Sequence, residues 1–256
     1  MSHYAVGVVV DKRDEGLVAD ILAPYDENLE VEPYIEYTRK EVLEKCNEYI
    51  NKYLLDPEKN KSYKGFADCK TVAELLNFYK DFWDCKLDEN GNQLSTYNPK
   101  SKWDWYSVGS RFDQFYDEET DGVINTYPFV KISNYKTVRE LSKEELERYK
   151  KCWAYYTHEI ELTDEEIDEL GISAWIRREY TAERYETFEN YIRAMSDNLP
   201  YAFVDKDGWY SMGEVGWFGC DNSTVDSENK YIDFALEYFN KPENQDKYII
   251  FCDLHI

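Results

Sequence analysis

Positive charge is what this chain has least of: 30 Lys and Arg face 53 Asp and Glu, a formal net charge of −23 over 256 residues. Nucleic acid is held by cations that neutralise its phosphates, so direct binding to DNA or RNA is not expected. The same repulsion disfavours anionic membrane surfaces. A surface this acidic suits plain solvation, or docking on a basic protein. No apolar run approaches the roughly 18 residues of a membrane span. Met1-Ser2-His3 has no basic region and the first apolar run ends at Val10, so no export signal is read and a cytoplasmic setting is expected. The six cysteines include no C-x-x-C pair, and in a reducing compartment they are expected to be free. Motif-borne chemistry is sparse as well. There is no phosphate loop, G-x-S-x-G elbow, H-E-x-x-H or zinc-ribbon spacing, and neither a cofactor nor a metal site is read.

Rings are what the chain has in excess: 24 Tyr, 12 Phe and 7 Trp argue for a packed aromatic core rather than disorder. Tyr4 to Val10 is a short β-branched run that reads as a strand buried on both faces, and Tyr248 to Phe251 is a second such run. Buried strands need neighbours, so both are expected in one sheet. That gives an α+β fold over a single domain, 1–256: a mixed or antiparallel sheet with the N- and C-terminal strands adjacent and helices packed on it. Capping boxes start helices at Thr38/Glu41, Thr71/Glu74, Ser142/Glu145 and Thr163/Glu166. Further helices are expected over Ala182–Met195 and after Ser227, so that a helical acidic insertion fills about 140–195. Hairpins are expected at Asn90-Gly91 and at Asp207-Gly208, with another strand over Tyr127–Ile132.

Three places could carry function. Asn98 to Phe112 packs Trp103, Asp104, Trp105, Tyr106 and Arg111 together, the group types that stack on a planar ligand and pair with an anionic one. Strand alternation over this stretch puts Trp103, Trp105 and Ser107 on one face. The plainer reading is a Trp-rich hairpin with an internal Asp104–Arg111 ion pair. Asp207 to Gly219 sets Trp209, Glu214 and Trp217 among four glycines without the dinucleotide-binding spacing, so close backbone approach is the reading. The third place is the pair of chain ends, where His3, Asp253 and His255 converge if the terminal strands lie side by side. They would then serve as metal ligands or an acid/base group, or else as histidines satisfied by backbone carbonyls. Cys252 is close to His255 in sequence but faces away from it in a strand.

The opening Met1-Ser2-His3-Tyr4-Ala5-Val6 with Leu22-Ala23-Pro24-Tyr25-Asp26-Glu27, the segments 98–112 and 209–219, and the ending Asp253-Leu254-His255-Ile256 resemble a family of hypothetical proteins found in bacteriophages and some bacterial genomes. Ser110-Phe112 departs from the G-G-R-W form of that family's motif. The resemblance implies a phage-type accessory protein and carries no activity, cofactor or active site with it. The expected function is counter-defence: a non-enzymatic inhibitor that binds a host protein with a basic surface or sequesters a small nucleotide. Two alternatives stand beside it. One is a hydrolase of nucleotides or nucleic acid working through His3, Asp253 and His255; the other is an acidic mimic of DNA.

Overall fold

The computed structural model describes residues 2–109, 129–173, 175–216 and 220–256. The chain divides into two compact units, residues 1–26 with 101–256, and residues 27–100.

The larger unit is built on the two apolar runs at the chain ends. β1 (His3–Val10) is buried along almost its whole length, as a run without polar alternation requires. β9 (Tyr248–His255) lies antiparallel to it in unbroken register from His3↔His255 to Val10↔Tyr248. β7 (Ala202–Asp205) runs parallel to β1 on its other side, and β8 (Gly208–Ser211) returns from β7 as a hairpin. β5 (Trp105–Val108) and β6 (Val130–Lys131) both pair antiparallel with the free side of β9. The result is a mixed six-stranded sheet with the terminal strands adjacent, in an α+β fold as the sequence implies. Of the strand expected over Tyr127–Ile132, residues 127 and 128 lie outside the described residues, β6 covers Val130–Lys131, and Ile132 opens a 3₁₀ turn (Ile132–Asn134).

Side-chain alternation along β1 and β9 sorts the core into two layers. Tyr4, Val6, Val8, Val10, Ile250, Cys252 and Leu254 face one way and pack with Val18 and Leu22 of α1 (Glu15–Leu22). Val9, Ile249 and Phe251 face the other way, with Phe203 from β7, under Tyr231, Ile232, Ala235 and Phe239 of α9 (Val225–Asn240). Gly7 lies on this second face because there is no room for more: a Cβ there would sit 2.6 Å from Ile249 Cδ1 and 3.3 Å from Pro200 Cγ. The hairpin turn comes one residue earlier than the Asp-Gly pair suggests. Asp205 pairs with Gly208, and Asp205 Oδ1 accepts from the amides of Asp207 (2.8 Å) and Gly208 (3.0 Å), so an aspartate side chain shapes the turn.

The expected helical insertion is α5 (Lys143–Tyr156), α6 (Asp164–Leu170), α7 (Arg178–Tyr185) and α8 (Phe188–Ser196). The last two replace the single helix expected over Ala182–Met195. Glu186 takes φ 60°, and Thr187 then caps a new helix by accepting from the Asn190 amide at 3.2 Å. Tyr191 is buried here against Trp153, stacked at 5.5 Å between centroids.

In the smaller unit, α2 (Arg39–Leu55), α3 (Lys64–Asp68) and α4 (Val72–Trp83) enclose Val42, Cys46, Phe66 and Tyr79. Beside them lies a small antiparallel sheet, β2 (Tyr34–Tyr37), β4 (Gln93–Ser95) and β3 (Lys86–Leu87) in that order. Capping boxes close reciprocally at Thr38, Ser142 and Thr163. At Thr71 only half forms, because the Glu74 carboxylate accepts from the Lys70 amide at 2.7 Å instead. Among the described residues, nine α-helices occur and none is long and apolar enough to cross a membrane.

Candidate functional site

The sheet register brings the two terminal histidines together. His3 and His255 are direct cross-strand partners, as are Ala5 and Asp253, so His3, Asp253 and His255 share one face of the sheet. β5 adds Trp105 opposite His255 and Ser107 opposite Asp253 on the same face. The imidazole rings of His3 and His255 lie 5.0 Å apart between centroids, edge to face at 65°.

Each imidazole is held by a carboxylate. His3 Nδ1 donates to Asp253 Oδ1 at 2.9 Å, and His255 Nδ1 donates to Asp104 Oδ1 at 2.6 Å. An ionised carboxylate only accepts, so each ring presents an N–H at Nδ1 to its carboxylate. At Nδ1 of both histidines the partner is a side-chain carboxylate and not a backbone carbonyl. Asp253 is 1% exposed, whereas Asp104 is 39% exposed, so one pair is sunk in the protein and the other reaches the surface. Asp104 reaches His255 because it lies in a bend just before β5, where its amide also donates to the His255 carbonyl at 3.0 Å.

That bend overturns the alternation expected for Trp103. Its indole Nε1 donates to the Leu22 carbonyl at 3.1 Å, and its ring is buried edge-on to Tyr106 at 5.1 Å, on the sheet face that packs on α1. Trp105 faces the opposite way, 52% exposed, with its ring 6.4 Å from that of His3. The two tryptophans thus lie on different faces, because strand geometry starts only at Trp105. Trp209 packs its ring on Tyr25 at 5.0 Å on the α1 side. Glu214 forms an ion pair with Lys102, and its amide donates to Asn222 Oδ1 at 2.8 Å. Lys102 in turn has its carbonyl bonded by the Tyr4 hydroxyl, so the two aromatic segments are tied together near the start of β1. Arg111 and Trp217 lie outside the described residues.

Cys252 is buried on the face away from the histidines, and burial pushes its thiol up to about 12, which marks a structural residue rather than a nucleophile. All six cysteines are free. Among the described residues no group of three or more His, Cys, Asp and Glu side chains is arranged to hold a metal. What the site can do chemically is move protons: two imidazoles, each held by a carboxylate, lie edge to face on one side of the sheet. The joining of Asp104 to His255 was not readable from sequence, since it spans 151 positions.

The chain matches no protein-family model, no curated protein and no solved structure.

Proposed function

We propose that this chain is a phage-type accessory protein of the host cytoplasm that binds a small phosphodiester nucleotide at the β1–β9–β5 end and hydrolyses it. The observation that carries this reading is the pair of carboxylate-held imidazoles, 5.0 Å apart on one sheet face. Hydrolysis of a phosphodiester needs a base to take a proton from the attacking oxygen and an acid to protonate the leaving one. Two imidazoles supply both when one ring is neutral and the other carries a proton on each nitrogen. Trp105, half exposed beside His3, offers a ring on which a base stacks. The net charge of −23 favours a small ligand over a long polyanion. The resemblance to phage-associated proteins supports counter-defence as the setting, with a signalling nucleotide removed or held. The segments behind that resemblance supply His3, Asp104, Trp105, Asp253 and His255.

Isothermal titration and product analysis with ATP, cyclic AMP and cyclic diadenylate test the reading. Turnover of a phosphodiester is expected, falling by about 10²–10⁴ in His255→Ala. Tight binding without product would return the chain to the class of sequestering inhibitors. Neither binding nor product would overturn the nucleotide reading altogether.

A further inference from the structure

Buried side-chain polar atoms in a folded protein almost always have a hydrogen-bond partner, and one left without is costly by about 1–3 kcal/mol. Among the described residues three such atoms occur: Ser107 Oγ, His255 Nε2 and the Tyr201 hydroxyl. Two of the three fall on the same face of adjacent strands. Ser107 stands opposite Asp253 and His255 stands opposite Trp105, so Ser107 and His255 are diagonal neighbours across the β5–β9 ladder. They are also complementary. The Asp104 carboxylate fixes the His255 proton on Nδ1, which leaves Nε2 of the neutral ring as an acceptor, while Ser107 brings a hydroxyl donor. A group that suits both must accept one hydrogen bond and donate another. A hydroxyl or a water molecule does that; a bare phosphoryl oxygen does not.

We infer that Ser107 and His255 together seat the attacking oxygen, with His255 as the general base and His3 as the acid. This rests on the hydrolytic reading above and adds to it a division of labour between two imidazoles that otherwise look alike. Ser107 Oγ–H donates to a water, and the water O–H points at His255 Nε2. The water oxygen forms a bond to phosphorus as its proton passes to Nε2, and Asp104 holds the resulting imidazolium in place. The bond from phosphorus to the leaving oxygen breaks with its electron pair on that oxygen, which takes a proton from Nε2–H of the His3 imidazolium. His255 then releases its proton to solvent and His3 takes one up. His3 and His255 are the catalytic residues of this scheme; Ser107 and Asp104 are positioning residues.

Leaving-group chemistry separates the two roles. Bis(4-nitrophenyl) phosphate expels a stable phenolate that needs no acid, whereas cyclic diadenylate expels a ribose oxygen that does. With the full chain, His255→Ala is expected to lower kcat by about 100-fold or more on both esters. His3→Ala should do so on cyclic diadenylate alone, with less than about a tenfold loss on the aryl ester. Ser107→Ala should lower kcat roughly tenfold on both with KM little changed, the split expected when only the attacking oxygen loses its orientation. Asp104→Asn, at a half-exposed position, should depress the base limb of the pH profile on both esters by disturbing the His255 tautomer. If His3→Ala suppresses the aryl ester as strongly as His255→Ala, or His255→Ala spares it, the assignment is overturned while the hydrolytic reading stands. If the wild-type chain turns over neither ester, that reading falls and takes the assignment with it.

Discussion

β1 and β9 share one sheet face whose two ends have opposite chemistry. At one end Gly7, Val9, Ile249 and Phe251 are sealed under α9 in a close-packed apolar layer. At the other end of the same strands stand His3, Asp253 and His255, with Ser107 and Trp105 beside them on β5. The backbone ladder is continuous between the ends, so secondary structure does not account for the difference. Packing does. Among the described residues, the apolar end has rings and branched chains and no unpaired buried side-chain polar atom; the polar end leaves Ser107 Oγ and His255 Nε2 buried without a partner. A fold gains nothing from such atoms, and proteins keep them where a ligand completes the set. One end of this face stabilises the chain, and the other is the end to which the proposed activity is assigned.

Substitutions at the two ends should therefore separate stability from activity. The largest effect is expected at the polar end, where His255→Ala should reduce phosphodiester turnover by about 10²–10⁴. Its urea midpoint should stay near that of the wild type, which a denaturation series would check. Phe251→Ala, at the apolar end, should cost about 3–5 kcal/mol of unfolding free energy, because Phe251 is fully buried and its loss leaves a cavity under α9. Turnover per folded molecule should be retained. Gly7→Ala, between the ends, should cost about 1–3 kcal/mol, since the new methyl meets Ile249 and Pro200. Loss of turnover in Gly7→Ala without loss of stability would mean the two ends are coupled and the comparison too simple.

A pH effect bears on how the comparison is measured. Burial raises the Asp197 carboxyl to about 6, above the value near 3.9 of an open chain. The folded state then holds this proton more tightly than the unfolded one. Its contribution is fully present below about pH 4 and is lost as pH rises through 6. Asp197→Asn should flatten that slope in urea midpoints taken between pH 4 and pH 7, and turnover profiles are best compared above it. The smallest effect is expected at His158, which is half exposed and bonded to Glu179 at 2.8 Å, remote in sequence from both ends. His158→Ala should leave turnover and midpoint unchanged, and a loss there would show that imidazole content alone does not identify the site.

How far the sequence reaches depends on the range of the interaction. Adjacent terminal strands were legible because two apolar β-branched runs without alternation have to be buried by neighbours. Helix starts were legible because capping boxes are local, three of four closing reciprocally. The break at Glu186 was not, since nothing in Tyr185-Glu186-Thr187 marks a positive φ on a glutamate. For the site, His3, Asp253 and His255 could be nominated together, but their partners could not be assigned. The bend at Asp104 puts Trp103 and Trp105 on opposite faces, and it pairs Asp104 with a residue 151 positions away. Alternation places Ser107 on the face of Trp105, but its place in the site comes only from its register against β9 and from a hydroxyl without a partner.

The central claim is that the polar end of the β1–β9 face acts and the apolar end stabilises. Its most direct test is kcat/KM on bis(4-nitrophenyl) phosphate alongside the urea midpoint, for wild type, His255→Ala and Phe251→Ala. The prediction is a fall of about 100-fold or more with an unmoved midpoint for His255→Ala, and the reverse for Phe251→Ala. Unchanged kcat/KM in His255→Ala, or a fall no larger than its loss of folded protein, would contradict it.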